Sequence, residues 1–197
     1  SIEADDNILP LLDVEVEQGV LTLRTEPDIT PLQFETIIYR VTLPELSMID
    51  LSSSADVRVE DFSADSLSVD INGSGDVTFV NLDVASLAVR ISGSGDMILP
   101  NVSAKTVLAE INNSGLMDVA GKTETLTVKV SGSGDLLADA LKASTVEVAV
   151  NGSGDVTVWA VDTLDVSISG SGNVQYLGAP ELTEKISGSG DLTQFGN

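Results

Sequence analysis

The chain contains no cysteine and no histidine among its 197 residues. Without cysteine it can form neither a disulfide nor a thiolate metal site. Without histidine it lacks the commonest general base and the commonest transition-metal ligand. These two absences exclude Ser-His-Asp catalysis, Cys-His catalysis and histidine-based zinc sites.

Basic residues are scarce as well, with 9 Lys and Arg against 31 Asp and Glu, for a net charge of −22. Nucleic acids and anionic membrane surfaces are recognised through clustered Lys and Arg, so we expect neither as a partner. No apolar run approaches the ~18 residues of a membrane span. The chain starts with Ser rather than Met and has no basic-plus-apolar leader, so we expect a targeting segment to have been removed.

The most informative feature that is present is a repeat. Near-copies of Ser/Asn-Gly-Ser-Gly, usually followed by Asp, recur at intervals of 20, 20, 20, 19, 20, 18 and 18 residues. They begin at Ser52, Asn72, Ser92, Asn112, Ser131, Asn151, Ser169 and Ser187. Such a period is typical of a solenoid, in which each repeat is one rung that cannot bury its apolar face alone.

Each rung alternates apolar and polar residues on both sides of the tetrad, as in Leu67, Val69 and Ile71 before it and Val77 and Phe79 after it. Strict alternation is the signal of a strand with one buried face. The sequence therefore predicts an all-β fold, a parallel β-helix (β-solenoid) of about eight rungs of 18–20 residues with Gly-Ser-Gly corners.

The second glycine of the tetrad is present in seven of the eight copies, and only Ala55 replaces it. A structural turn role is therefore predicted for these glycines, through either a positive φ or a lack of room for a Cβ atom between stacked corners. They are Gly75, Gly95, Gly115, Gly134, Gly154, Gly172 and Gly190.

The domain prediction is a single solenoid over 1–197, in which 46–197 form regular rungs and 1–45 form an irregular N-terminal cap or degenerate rungs. Within the first part, Asp13 to Arg24 indicates two short strands around Gln18-Gly19, and Glu35 to Leu43 indicates another strand. Near the other end, Glu184 and Gln194 occupy positions that are apolar elsewhere. Polar residues there are typical of a terminal rung that faces solvent or a partner.

Aspartates follow the tetrads and would form a file along one edge of the stack, about 4.8 Å apart. Calcium bridging would relieve their mutual repulsion, whereas the simpler interpretation is a turn aspartate that accepts backbone N–H bonds. The candidates are Asp56, Asp76, Asp96, Asp135, Asp155 and Asp191, and Leu116 and Asn173 interrupt the file. Apart from this calcium alternative, we expect no cofactor, no metal and no catalytic residue.

Outward positions after the corner include several large apolar residues. An apolar file on a solenoid flank suggests a contact surface, although single exposed apolar residues are common on any protein. The residues of this predicted contact flank are Val80, Ile98, Leu137, Trp159 and Leu177.

With Gly-Ser-Gly corners about every 20 residues, preceded by Leu-x-Val-x-Ile strands, the chain resembles the head GIN domain family of putative auto-transporter adhesins. The opening segments Ile2 to Pro10 and Val14 to Leu23 also resemble that family's start. The resemblance implies a right-handed β-helix similar to pectate lyases, on secreted or envelope-attached proteins of Gram-negative bacteria. It carries no agreed catalytic residues.

These features are consistent with two functions. The first is a non-enzymatic, extracytoplasmic module that uses a rigid flank for adhesion to an extracellular protein or glycan, or for self-association into a homo-oligomer. The second is a carbohydrate-active enzyme, similar to a polysaccharide lyase, on the same scaffold. For that enzyme Arg90 and Lys129 are the best-placed basic residues, two rungs apart, but no acidic trio clusters around either and the net charge would repel a polyanionic substrate.

Overall fold

The computed structural model describes residues 1–25 and 36–196. They belong to two compact units, Ser1–Pro44 and Glu45–Asn197. The boundary falls where the sequence changes from irregular to regular rungs. Whether the first unit caps the solenoid stays a prediction.

In the first unit, β1 (Ile2–Glu3) pairs antiparallel with β4 (Ile38–Tyr39). The hairpin of β2 (Leu12–Glu17) and β3 (Val20–Thr25) turns at Gln18 and Gly19, both with positive φ. The two strands predicted within Asp13–Arg24 are thus confirmed. The strand predicted over Glu35–Leu43 is reduced to β4, and Glu35 itself lies outside the described residues. These four strands pair antiparallel, unlike the strands of the second unit. Whether residues 1–45 form a cap or degenerate rungs stays a prediction.

The second unit is a parallel β-solenoid of about seven turns, as the repeat predicts. Eight corners bound seven intervals, which reconciles this number with the eight copies of the tetrad. Its strands are β5 (Met48–Leu51), β6 (Val57–Ile71), β7 (Val77–Ile91), β8 (Met97–Ile111), β9 (Leu116–Val130), β10 (Asp135–Val150), β11 (Val156–Ile168), β12 (Val174–Leu177), β13 (Glu181–Ile186) and β14 (Leu192–Gly196).

The core runs along the solenoid axis and consists of the alternating inward residues of successive rungs. Leu67, Leu87 and Val107 align in one file, and each is almost fully buried. The end of the stack is different, because Leu182 and Ile186 align with buried Leu164 and Ile168 but remain 39% and 41% exposed. Glu184 is exposed there too, as expected of a terminal rung.

The corner positions require glycine because the backbones of successive corners approach each other closely, and not because of an unusual φ. None of the seven has a positive φ. A Cβ atom built on Gly134 would overlap the carbonyl oxygen of Gly115 and lie 2.6 Å from Ile111 Cγ2. The other six meet the carbonyl oxygen of the preceding corner in the same way. Ala55 belongs to the first corner of the second unit, which has no earlier tetrad beneath it.

Each rung bends a second time, between the alternating residues that follow its corner and those that precede the next corner. This second bend is less regular than the corner. Register shifts occur there between Leu99 and Val102 and between Leu137 and Ala140. The 19-residue spacing is accommodated at Gly121, which has φ +129° and pairs with Val102. Bulges of this kind redirect side chains and are common beside functional sites.

Candidate functional site

The aspartates after the tetrads form a ladder of hydrogen bonds along one edge of the solenoid. Asp76 Oδ1 accepts the backbone N–H of Asp96 at 2.8 Å, and Asp135 Oδ1 accepts that of Asp155 at 2.7 Å. The same bond joins Asp56 to Asp76, Asp96 to Leu116, Asp155 to Asn173, and Asn173 to Asp191. One oxygen of each of these side chains therefore completes the backbone bonding of the next rung.

This geometry supports the turn interpretation of the aspartates over calcium bridging. Among the described residues there is no group of three or more Asp or Glu side chains that could hold a metal ion. Where Leu116 removes the acceptor, the N–H of Asp135 bonds the carbonyl oxygen of Gly115 at 3.2 Å instead. The ladder thus joins successive rungs of the solenoid. Calcium binding stays a hypothesis that titration with the ion can test, with the candidate ligands Asp56, Asp76, Asp96, Asp135, Asp155 and Asp191.

We expect Asp135→Ala to lower the free energy of unfolding by about 1–2 kcal/mol, because the N–H of Asp155 loses its charged acceptor. The matched control is Asp162→Ala, since Asp162 is exposed and accepts no hydrogen bond from the described residues. Chemical denaturation measures both. Millimolar calcium should leave the wild-type Tm unchanged, and a rise that Asp135→Ala abolishes would establish an ion site.

A second cluster lies on the strand that precedes the corner. Asp70, Arg90, Glu110 and Lys129 occupy one file in four successive rungs. Glu110 accepts from Arg90 Nη2 at 3.0 Å and from Lys129 Nζ at 2.9 Å, and Arg90 lies 3.8 Å from Asp70. The bonds from Lys129 and Arg90 lower the pKa of Glu110 below its ordinary value of 4.5. Both cations named for the enzyme hypothesis are therefore engaged in ion pairs.

Glu110→Gln is expected to destabilise the protein by about 1 kcal/mol at neutral pH, because two cations lose their shared carboxylate. A lowered folded-state pKa gives stability that is complete above pH 4.5 and is lost as the pH falls through the folded-state value. The Tm difference between wild type and Glu110→Gln should therefore shrink below pH 4.5. Glu60→Gln is the control, because its pair with Arg58 is largely exposed. A difference that is constant with pH would contradict the argument.

The predicted contact flank does not form one file. Ile98 and Leu137 share a file and are 41% and 38% exposed, but Asp118 separates them. Trp159 pairs with Leu177 in another place, and both are half-buried. Val80 lies next to the Phe79 position and is half-buried too. These five residues do not form a continuous apolar surface, and their role as a contact surface for a partner stays a prediction.

An open cleft of about 840 Å³ lies at the second bend of β6, β7, β8 and β9. We call it the axial groove, because its residues come from four successive rungs. Its floor is a file of four small or medium side chains, Ala64, Val84, Ala104 and Thr123. Thr123 is held in place by hydrogen bonds from its Oγ1 to the carbonyl oxygens of Lys105 and Thr125, both at 3.1 Å.

The two sides of the axial groove change from rung to rung. The residues before the floor are Ser63, Asp83, Ser103 and Lys122, and those after it are Asp65, Ala85, Lys105 and Glu124. A second open cleft of about 590 Å³ adjoins the first of these files on the side of Phe62 and Leu82. The inward positions of the solenoid carry similar residues in every rung, whereas the sides of the axial groove do not.

The axial groove has no evident signature in the sequence. The bend between the two runs of alternation has no fixed motif, so nothing in the sequence groups Lys105 with Lys122. The one available signal was the 19-residue spacing between Asn112 and Ser131. This interval is one residue shorter than those before it, and the difference shifts the register between β8 and β9 beside the groove.

The sequence profile described as "putative auto-transporter adhesin, head GIN domain" matches residues 1–180. The chain belongs to this family. The resemblance in its corner and strand motifs is thereby confirmed, and no curated protein sequence matches the chain.

Solved structures share the fold of this head GIN domain protein. A putative lipid binding protein from Parabacteroides distasonis has a TM-score of 0.92 at 24% identity, with coverage of 98% of this chain and 82% of that one. A putative adhesin from Parabacteroides merdae has a TM-score of 0.91 at 22% identity and the same coverage. A putative adhesin from Bacteroides fragilis has a TM-score of 0.71 at 25% identity, covering 98% and 81%.

The family and most of these relatives are thus named as adhesins, which agrees with a non-enzymatic, adhesin-like role. In the part of the chain that the structure describes, no helix is long and apolar enough to cross a membrane.

Proposed function

We propose that this head GIN domain protein is a non-enzymatic adhesion module that acts outside the cytoplasm. The observation that carries the proposal is the contrast between interior and surface. Inward positions such as Val128, Val148 and Val166 repeat from rung to rung and are buried. The axial groove departs from the repeat, and a departure from the repeat is where a specific binding surface is expected.

A solenoid suits adhesion because its surface is held rigidly. Each internal rung is paired along most of its length with the rung on either side. Ligand binding then requires little ordering of the protein, so less of the interaction free energy is lost to conformational entropy. The name of the family and of its solved relatives supports an extracellular or cell-surface location.

The enzyme alternative, a polysaccharide lyase or hydrolase, has less support. Arg90 and Lys129 are both bonded to Glu110, so neither is positioned as an unpaired base. Incubation with a panel of polysaccharides would reveal turnover, and activity that Lys129→Ala abolishes would favour this alternative.

Self-association is a second candidate, favoured by the exposed apolar residues of the last rungs. Leu182, Ile186 and Phe195 are 39%, 41% and 47% exposed. Light scattering across a concentration series tests it, with Leu182→Asp directed at the final rungs and Trp159→Asp at the predicted contact flank. A monomer at all concentrations would exclude this candidate.

The test of adhesion uses beads coated with the whole chain and applied to arrays of extracellular proteins and glycans. We expect retention on a subset of surfaces, and beads coated with an unrelated acidic protein give the control. Equal retention of both kinds of bead on every surface would contradict the adhesion function.

A further inference from the structure

The charged side chains of the axial groove carry both signs and are unpaired. Lys105 and Lys122 lie in the same cleft as Asp65, Asp83 and Glu124. Among the residues that the structure describes, none of these five side chains makes a hydrogen bond or an ion pair. Lys129, which lies farther along the same strand as Lys122, near the next corner, is by contrast bonded to Glu110. The groove therefore presents donors and acceptors that neighbouring residues leave available.

A ligand for this groove must satisfy both kinds of group. An ammonium only donates hydrogen bonds and a carboxylate only accepts them. A polyanion would be repelled by three carboxylates and by the net charge of −22. A polycation only donates hydrogen bonds, so it would leave the two lysine ammonium groups without an acceptor. A hydroxyl group donates to a carboxylate and accepts from an ammonium.

We propose that the axial groove binds a neutral, hydroxyl-rich saccharide chain. This inference rests on the proposed adhesion function and specifies its ligand class and its site. Lys105 and Lys122 donate to sugar hydroxyl oxygens, while Asp65, Asp83 and Glu124 accept from sugar hydroxyl groups.

The shape of the groove agrees with an extended oligosaccharide. Four rungs about 4.8 Å apart give a length of about 14 Å, open at both sides. Half-buried Ala64 and Ala104 offer small apolar contacts for the C–H face of a sugar ring, as ligand sites combine apolar lining with a few polar groups. Val84 between them is buried and closes the floor. Ser63 and Ser103 add hydroxyl groups along one side.

The single tryptophan of the chain supplies a natural reporter. The file that contains Lys122 continues through Lys142 to Trp159, and Lys142 Nζ lies 5.5 Å from the centroid of the Trp159 ring. A saccharide that extends along this file beyond Lys122 would disturb that pair and change the fluorescence of Trp159.

The primary experiment is calorimetric titration of the whole chain with linear oligosaccharides of glucose, mannose, xylose and N-acetylglucosamine. Polygalacturonate and polylysine serve as the charged probes. We expect at least one neutral oligosaccharide to bind, with a Kd that changes less than about twofold between about 50 and 500 mM NaCl, because no net charge is neutralised. The absence of neutral binding, or binding of a charged probe alone, would overturn the proposal.

Variants then locate the site. Lys105→Ala and Asp83→Ala should each weaken binding about tenfold, the loss of one hydrogen bond to a charged group. Lys185→Ala and Asp191→Ala remove exposed charges in the last rung, away from the groove, and should leave Kd unchanged. The four sites are exposed, so all variants should keep the wild-type Tm, which is measured in parallel. Equal binding by both groove variants would refute the site.

The bead assay separates this inference from the adhesion function. If beads coated with Lys105→Ala or Asp83→Ala adhere as well as wild-type beads, the module is an adhesin that does not use this groove. If wild-type beads adhere nowhere, the adhesion function itself is wrong.

Discussion

Gly134→Val is expected to destabilise the solenoid by about 3 kcal/mol or more. The first atom of the new side chain would overlap the carbonyl oxygen of Gly115 and lie 2.6 Å from Ile111 Cγ2. Backbone atoms of the stacked corner cannot move aside without losing their own hydrogen bonds. Gly134 N–H, for example, bonds the carbonyl oxygen of Asn113 at 2.8 Å.

The control for Gly134→Val is Ala55→Val, which changes the equivalent position of the first corner. Ala55 is exposed and already carries a Cβ atom. We expect a change there of about 0.5 kcal/mol or less. Thermal and denaturant unfolding measure both variants. Equal stability of Gly134→Val and wild type would mean that the corners do not stack as closely as the structure shows.

Phe79→Ala is expected to cost about 3–5 kcal/mol, since it removes the largest fully buried side chain of the solenoid. Phe79 is 1% exposed and lies between Val59 and Leu99 in the inward file that follows the corner. Its ring also packs at a tilt against that of Phe62, with the centroids 6.4 Å apart. The neighbouring rungs are held in register by their backbone ladders, so they cannot collapse fully into the cavity.

Phe195→Ala provides the comparison, because the same side chain is 47% exposed in the last strand. Its truncation removes little buried area, so a loss of about 1 kcal/mol or less is expected. A similar loss of stability for the two variants would contradict the idea that burial along the axis, and not aromatic content, supports the stack.

The repeat made much of the fold predictable. Period-2 alternation around each tetrad gave the inward residues, such as Val69, Val89 and Val148, all of them buried. The recurrence of glycine at Gly134 and its equivalents predicted a structural constraint at the corners. The structure shows that this constraint is the close approach of stacked backbones, and not a positive φ. The aspartate file was foreseen, whereas its use as acceptor of the next rung's N–H stood as one of two alternatives.

Outward-facing residues were much less predictable. The apolar residues Ile98 and Leu137 looked continuous in sequence but are separated by Asp118 on the folded surface. Lys105 and Glu124 come together only because the second bend turns the chain, and the sequence carries no motif for that bend. Local alternation determines which side of a strand a residue occupies, but not which neighbours it has on that side.

By itself, then, the sequence determined the rung, its corners and its buried face, because these features depend on interactions that recur every 18–20 residues. Only the tertiary structure decided which side chains share the outer surface. Lateral neighbours there are residues from different rungs, and one-residue changes in rung length shift their register. That register brings Asp83, Lys105 and Lys122 together in one groove.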